Sequence, residues 1–138
     1  MAINTPITTS NTLEVWRTRL NEILAYQSPS DLGSGSSFDI DVLAGCNKIC
    51  SPNATGTCTF TMSNLVAGIS GCVSIISPPS GNKPALYAFP SYVKWENGVA
   101  PTPSYTYSVR DIFCYYIEKV GDSNGTTVVI GKMLYNVF

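Results

Sequence analysis

Apolar residues along this chain follow two different rhythms, and the change between them falls near residue 28. From Thr12 to about Gln27 they recur with helical spacing: Leu13, Trp16, Leu20 and Ile23 stand 3, 4 and 3 apart, with Leu24 beside them. Arg17, Arg19, Asn21 and Glu22 then point elsewhere, so the segment reads as an amphipathic helix with one apolar stripe. Asn11 can cap its start, and Glu14, three residues later, can reach back to the cap amide. Residues 1–10 are uncharged, rich in Thr and interrupted by Pro6, which predicts an extended arm. Ser28 to Ser37 (SPSDLGSGSS) has the composition of a flexible linker, placing a boundary between an arm-and-helix unit (1–27) and a β-rich domain (38–138).

Beyond Phe38 the period becomes two, or gives way to short apolar runs: FDIDVLA, TCTFTM, CVSIIS, ALYAF and YVKW, each bounded by Gly, Pro, Asn or Ser. Short strands at such intervals predict a mainly β fold, an antiparallel β-sandwich or barrel-like domain, without an internal repeat. The C-terminal part reads as a hairpin, YTYSVRDIFCYYIEKV and TTVVIGKMLYNVF around Asn124-Gly125. In its first arm Phe113, Tyr115 and Ile117 alternate with Cys114, Tyr116 and Glu118, so one face should be buried.

Composition then narrows what such a domain does. Lys and Arg number 8 and Asp and Glu 9 among 138 residues, well below the roughly 25% charged residues of an ordinary domain. A surface with so little charge resists association poorly, so subunit contacts are expected. No basic cluster offers a footprint for nucleic acid. No stretch reaches the roughly 18 apolar residues of a membrane span, and the first residues lack the plan of a signal peptide. Production in a cytoplasm without export is the resulting expectation.

The chain has no histidine, which removes Ser-His-Asp, Cys-His and imidazole-metal chemistry together. Asp39 and Asp41 would share a strand face, but such neighbours usually form a solvated surface. GSGSS lacks the Lys of a phosphate loop. No catalytic residue, cofactor site or metal site is therefore predicted. Cys46, Cys50, Cys58 and Cys72 do not have zinc-knuckle spacing; they are candidates for disulfides in the loop-rich part of the chain, or simply buried free thiols, with Cys114 the safest thiol. Asn53-Ala-Thr55 and Asn124-Gly-Thr126 match the glycosylation acceptor only as short patterns. The eight tyrosines and Trp95 suit core and interface packing, or a platform for sugars.

The stretch from Asn11 to Ile23 resembles a segment near the N-termini of structural proteins of tailed bacteriophages, especially fibre-like and appendage proteins of phages of cyanobacteria and marine bacteria. There it takes the form T-[FL]-x-x-W-[RL]-x-[RK]-[TL]-N-x-I, which Thr12, Leu13, Trp16, Arg17, Arg19, Asn21 and Ile23 match. The resemblance implies a short trimerising or anchoring helix that joins an appendage to the virion. A non-enzymatic capsid decoration (cement) protein or short fibre is then expected. Its partner-binding residues would be Leu13, Trp16, Leu20, Ile23 and Leu24, and its partners sister subunits in a trimer and the major capsid or other virion proteins. The alternatives are a tail or baseplate attachment protein and a module that binds a host-surface glycan.

Overall fold

The computed structural model describes residues 13–104, 106–121 and 126–137. Within them one α-helix, α1 (Leu13–Gln27), precedes the strands β1 (Ser30–Gly35), β2 (Ser37–Asp41), β3 (Asn47–Pro52), β4 (Thr57–Ser63), β5 (Ser70–Ile76), β6 (Leu86–Ala88), β7 (Val93–Trp95), β8 (Arg110–Lys119) and β9 (Val128–Val137), with a single 3-10 turn at Glu96–Gly98 after β7. The fold is mainly β with a single N-terminal helix, as the change of period predicts. The strands form a six-stranded sheet in the order β1-β3-β5-β8-β9-β7 and a three-stranded sheet in the order β2-β4-β6.

Strand direction departs from the antiparallel expectation. β1 to β6 enter the two sheets alternately, so the next strand of each sheet arrives two elements later and runs the same way. β1-β3, β3-β5, β2-β4 and β4-β6 are accordingly all parallel. Parallel neighbours need a crossover connection; here the strand in the opposite sheet serves as that crossover, and the chain winds as a coil. Backbone bonds continue the stacking through the corners: Asn53 N donates to Gly35 O (3.1 Å), Cys72 N to Cys46 O (2.8 Å) and Ala85 N to Gly56 O (2.9 Å). Only β5-β8 and β8-β9 are antiparallel among the described pairs.

The segment 28–37 is not a flexible linker. Ser30–Gly35 is β1, paired with β3 through Ser30↔Lys48 and Ser34↔Ser51 across an irregularity between Asp31 and Ser34. Gly33 supplies the positive φ (+81°) there, and its N–H is held by Asp31 Oδ1 at 2.8 Å. Main-chain pairing asks nothing of Ser and Gly side chains, and Leu32 adds a contact with the core. A composition suited to disorder thus becomes an edge strand once a partner strand is alongside.

Stacking in register lines up like side chains between the sheets. Phe38 opposes Phe60, their rings 5.8 Å apart, and Phe60 in turn stacks on Phe89 at 4.7 Å and 9°. Phe89 meets Phe113 at 4.6 Å, which joins the coil to the antiparallel part. Ile40, Cys50, Cys58, Val73, Ile75, Ile117 and Val129 complete the core. The predicted alternation holds in β8: Phe113, Tyr115 and Ile117 are buried, while Cys114, Tyr116 and Glu118 are not. The expected Asn124-Gly125 turn lies outside the described residues, as do the arm and the Asn11 cap.

A buried carboxylate ties the closing strands together. Asp111 accepts from Tyr87 Oη (3.0 Å), Ser104 N (2.8 Å), Ser104 Oγ and Asn136 N (3.3 Å). Four donors from three segments converge on one side chain, satisfying a polar group that would be costly to bury alone.

Candidate functional site

The helix that the sequence marks as a partner-binding element stands off the two sheets. Trp16, Leu20 and Leu24 are 47%, 57% and 61% exposed, and Ile23 39%; Leu13 is the first helical residue. On the helix's surface Arg17 pairs with Glu14 and Arg19 with Glu22, each one turn apart. Those pairs order polar side chains locally but contribute little at such exposure. Trp16, Leu20, Ile23 and Leu24 thus stay exposed in the single chain.

What fixes the helix is Tyr26, the one buried residue among those described in α1. Its hydroxyl donates to Val42 O at 2.8 Å, and its carbonyl accepts from Cys46 N at 3.0 Å. Burial, ahead of nearby Cys46 and Asp41, pushes its hydroxyl pKa up. Beside it Asn47 Nδ2 donates to Gln27 O (2.9 Å), and Ser28 closes the last turn on Leu24 O through its backbone N and Oγ. Gly45, at φ +122°, allows the close approach: a Cβ there would lie 3.2 Å from Tyr26 O. The C-terminal turn of α1 is therefore clamped to the first coil while the rest projects. Reading the stripe alone missed Tyr26, although it lies one turn beyond Ile23.

A second exposed apolar surface lies on the outer side of the six-stranded sheet. Tyr116 opposes Ile130 and Ile112 opposes Leu134; Tyr116, Ile130 and Leu134 are each nearly half exposed. Between those rows runs a more polar one, Asn47, Cys72, Cys114 and Lys132, set in register across β3, β5, β8 and β9. At the sheet's far edge a shallow cleft of about 340 Å³ is lined by Trp95, Glu96, Val99, Tyr135 and neighbours. The Glu96–Lys132 ion pair crosses it and holds the Glu96 carboxyl below its usual pKa.

No protein-family model matches the chain, and neither a curated protein nor a solved structure matches it.

All five cysteines are free. Cys50 and Cys58 are fully buried among apolar side chains, and burial raises their thiol pKa values, that of Cys58 to about 11. They act as small hydrophobes. The Cys72 thiol lies against Cys114, donating to its Sγ at 3.2 Å, whereas its link to Cys46 is a backbone bond from Cys72 N to Cys46 O. Register between distant strands brings Cys72 and Cys114 together, and spacing along the chain carries no sign of it. Asp39 and Asp41 do share one edge of β2, but each has other work. Asp39 accepts from Thr61 Oγ1 (2.7 Å) and Ser63 Oγ (2.5 Å) on β4. Asp41 caps Leu43 N at 3.0 Å, and the Asn64 amide foremost holds its pKa down. Among the described residues no three His, Cys, Asp or Glu side chains converge as metal ligands, and no helix is long and apolar enough to cross a membrane.

Proposed function

We propose that this protein is a non-enzymatic structural subunit of a bacteriophage virion, a capsid decoration (cement) protein or short fibre that attaches through α1. The observation that carries the reading is the exposure of Trp16, Leu20, Ile23 and Leu24 on a helix held to the body through its last turn, at Tyr26 and Gln27. Leaving four large apolar side chains about half exposed forfeits roughly 1 kcal/mol each, about half the value of full burial. A partner surface recovers that energy, and buried aromatics such as Trp16 commonly dominate interfaces. The resemblance of residues 11–23 to phage appendage segments supplies the kind of partner. Sister subunits in a trimer account for part of the stripe, and neighbouring capsid or other virion proteins for the remainder. The coil suits the role, since it presents a rigid platform from few residues and little charge.

The test uses purified particles that lack the protein. Wild-type protein should rebind and sediment with them, whereas Trp16→Glu should remain in the supernatant with an unchanged melting temperature and β-sheet circular dichroism. Rebinding by Trp16→Glu at wild-type level would rule out attachment through α1. Copy number then separates the roles: one or more per capsid subunit marks decoration, and a handful per particle marks a tail or neck component.

A further inference from the structure

Two of the five cysteines face the same way on adjacent antiparallel strands. Cys72 of β5 is the register partner of Cys114 of β8. The backbone bonds define the kind of pair. Ile117 N donates to Ile69 O at 2.8 Å, making 69/117 a hydrogen-bonded position, and Cys72 N turns away from β8 to Cys46 O. Alternation along an antiparallel ladder then makes 72/114 a non-hydrogen-bonded pair, the class whose Cα atoms approach to about 4.5 Å with side chains closest. That separation lies within the roughly 4.4–6.8 Å span of disulfides. The sulfurs are already 3.2 Å apart, and both residues are only half-buried, whereas Cys50 and Cys58 are sealed in the core.

We propose that Cys72 and Cys114 form a redox-active dithiol site that accepts low-molecular-weight disulfides of the glutathione type and closes to a cross-strand disulfide. In the first step one cysteine loses its proton and its thiolate attacks a sulfur of glutathione disulfide. The glutathione S–S bond breaks, a protein–glutathione disulfide forms, and one glutathione leaves as thiolate to take up the proton. In the second step the neighbouring cysteine, likewise deprotonated, attacks the protein-bound sulfur and releases the second glutathione. The two protein thiols are oxidised and one glutathione disulfide is reduced to two glutathiones. Burial first, and Cys72 second, raise the Cys114 thiol pKa to about 11, so this thiol stays protonated at neutral pH and exchange through it quickens as pH rises. The product staples the third coil to the antiparallel strands across 42 positions of sequence. The site does not depend on the attachment role of α1.

The experiment incubates the native protein with graded ratios of glutathione disulfide to glutathione, quenches by alkylation, counts free thiols and maps cross-linked peptides. Two of the five thiols should disappear, a Cys72–Cys114 peptide should appear, and the melting temperature should rise by about 10 °C, all reversed by dithiothreitol. Cys114→Ser should retain one glutathione on Cys72 and show no such rise. Five thiols surviving in excess glutathione disulfide would overturn the proposal. So would a cross-link from Cys72 to Cys46, or oxidation that proceeds only in urea.

Discussion

Two segments of this chain carry equally clear apolar patterns and meet opposite fates. In β8 every second side chain, Phe113, Tyr115 and Ile117, lies between the sheets, with Phe113 and Ile117 at 0% exposure. In α1 Trp16, Leu20, Ile23 and Leu24 face water, and Trp16 keeps 47% of its surface exposed. A periodic pattern states which residues must be covered; it does not state by what. For β8 the cover is the same chain, reached through stacking of the coil. For α1 the chain holds the last turn at Tyr26 and Gln27 and leaves Trp16, Leu20, Ile23 and Leu24 exposed; under the proposed function another molecule covers them.

The sharpest way to break that contrast is to truncate one aromatic from each segment. Phe113→Ala should lower unfolding free energy by about 3–5 kcal/mol, because it opens a cavity among Phe89, Trp95 and Tyr115. Urea denaturation measures it, and a loss below 1 kcal/mol would place the core elsewhere.

Alkaline pH should attack the body, and with it the Tyr26 hydroxyl that clamps the helix, whose pKa burial also raises. Burial raises the ionisation of Cys50, Cys58, Tyr87 and Tyr115 above the ordinary 9.0 of a thiol and 10.0 of a phenol. A raised folded-state value means that the stabilisation is fully present below the unfolded value and lost as pH climbs through the folded one. Stability should therefore fall from about pH 9 upward, by up to about 1.4 kcal/mol per pH unit for each group. Buried Lys48 has the opposite sign, since burial lowers its pKa, but one amine is outweighed by four acids. With no histidine in the chain, the melting temperature should stay nearly level between about pH 6 and 8. A steep change inside that interval would contradict this assignment.

Tyr26→Phe sharpens the contrast at its hinge point. It keeps the ring in place and removes the hydrogen bond to Val42 O, so it should cost about 1 kcal/mol and raise amide exchange in α1 before it does so in β5 or β8. Equal exchange in all three would mean that the helix is not held there. The smallest stability effect belongs to Trp16→Ala, within about 0.5 kcal/mol for the isolated protein, even as particle binding falls. A fall in melting temperature as large as that of Phe113→Ala would put Trp16 in the core and end the comparison.

Sequence patterns made the helix, the β-rich remainder and the alternation in β8 legible, because each depends on periods within about ten residues. They could not show strand direction, because Phe38 finds Phe60 only after the chain has visited the other sheet and returned. They mistook Ser30–Gly35 for a linker because the pairing that orders it lies in backbone groups, which every sequence shares. For the candidate site the stripe was legible, whereas its anchor Tyr26 and the Cys72–Cys114 pair were not. A single aromatic beyond the stripe and a register between strands 42 positions apart leave no periodic trace.

The aromatic column of Phe38, Phe60 and Phe89 has a consequence for how such a molecule can change length. One full winding takes the chain from Phe38 to its partner Phe60, and the next brings Phe89 onto the same stack. Residues added at a corner alter only a loop, as the longer second winding already illustrates, whereas a residue added within a strand turns every later side chain to the wrong face. Height along the coil axis can thus grow or shrink only by whole windings, each about one strand spacing of 4.8 Å thick. Descendants of this chain should differ in stature by discrete steps, with the clamped helix carried unchanged at one end.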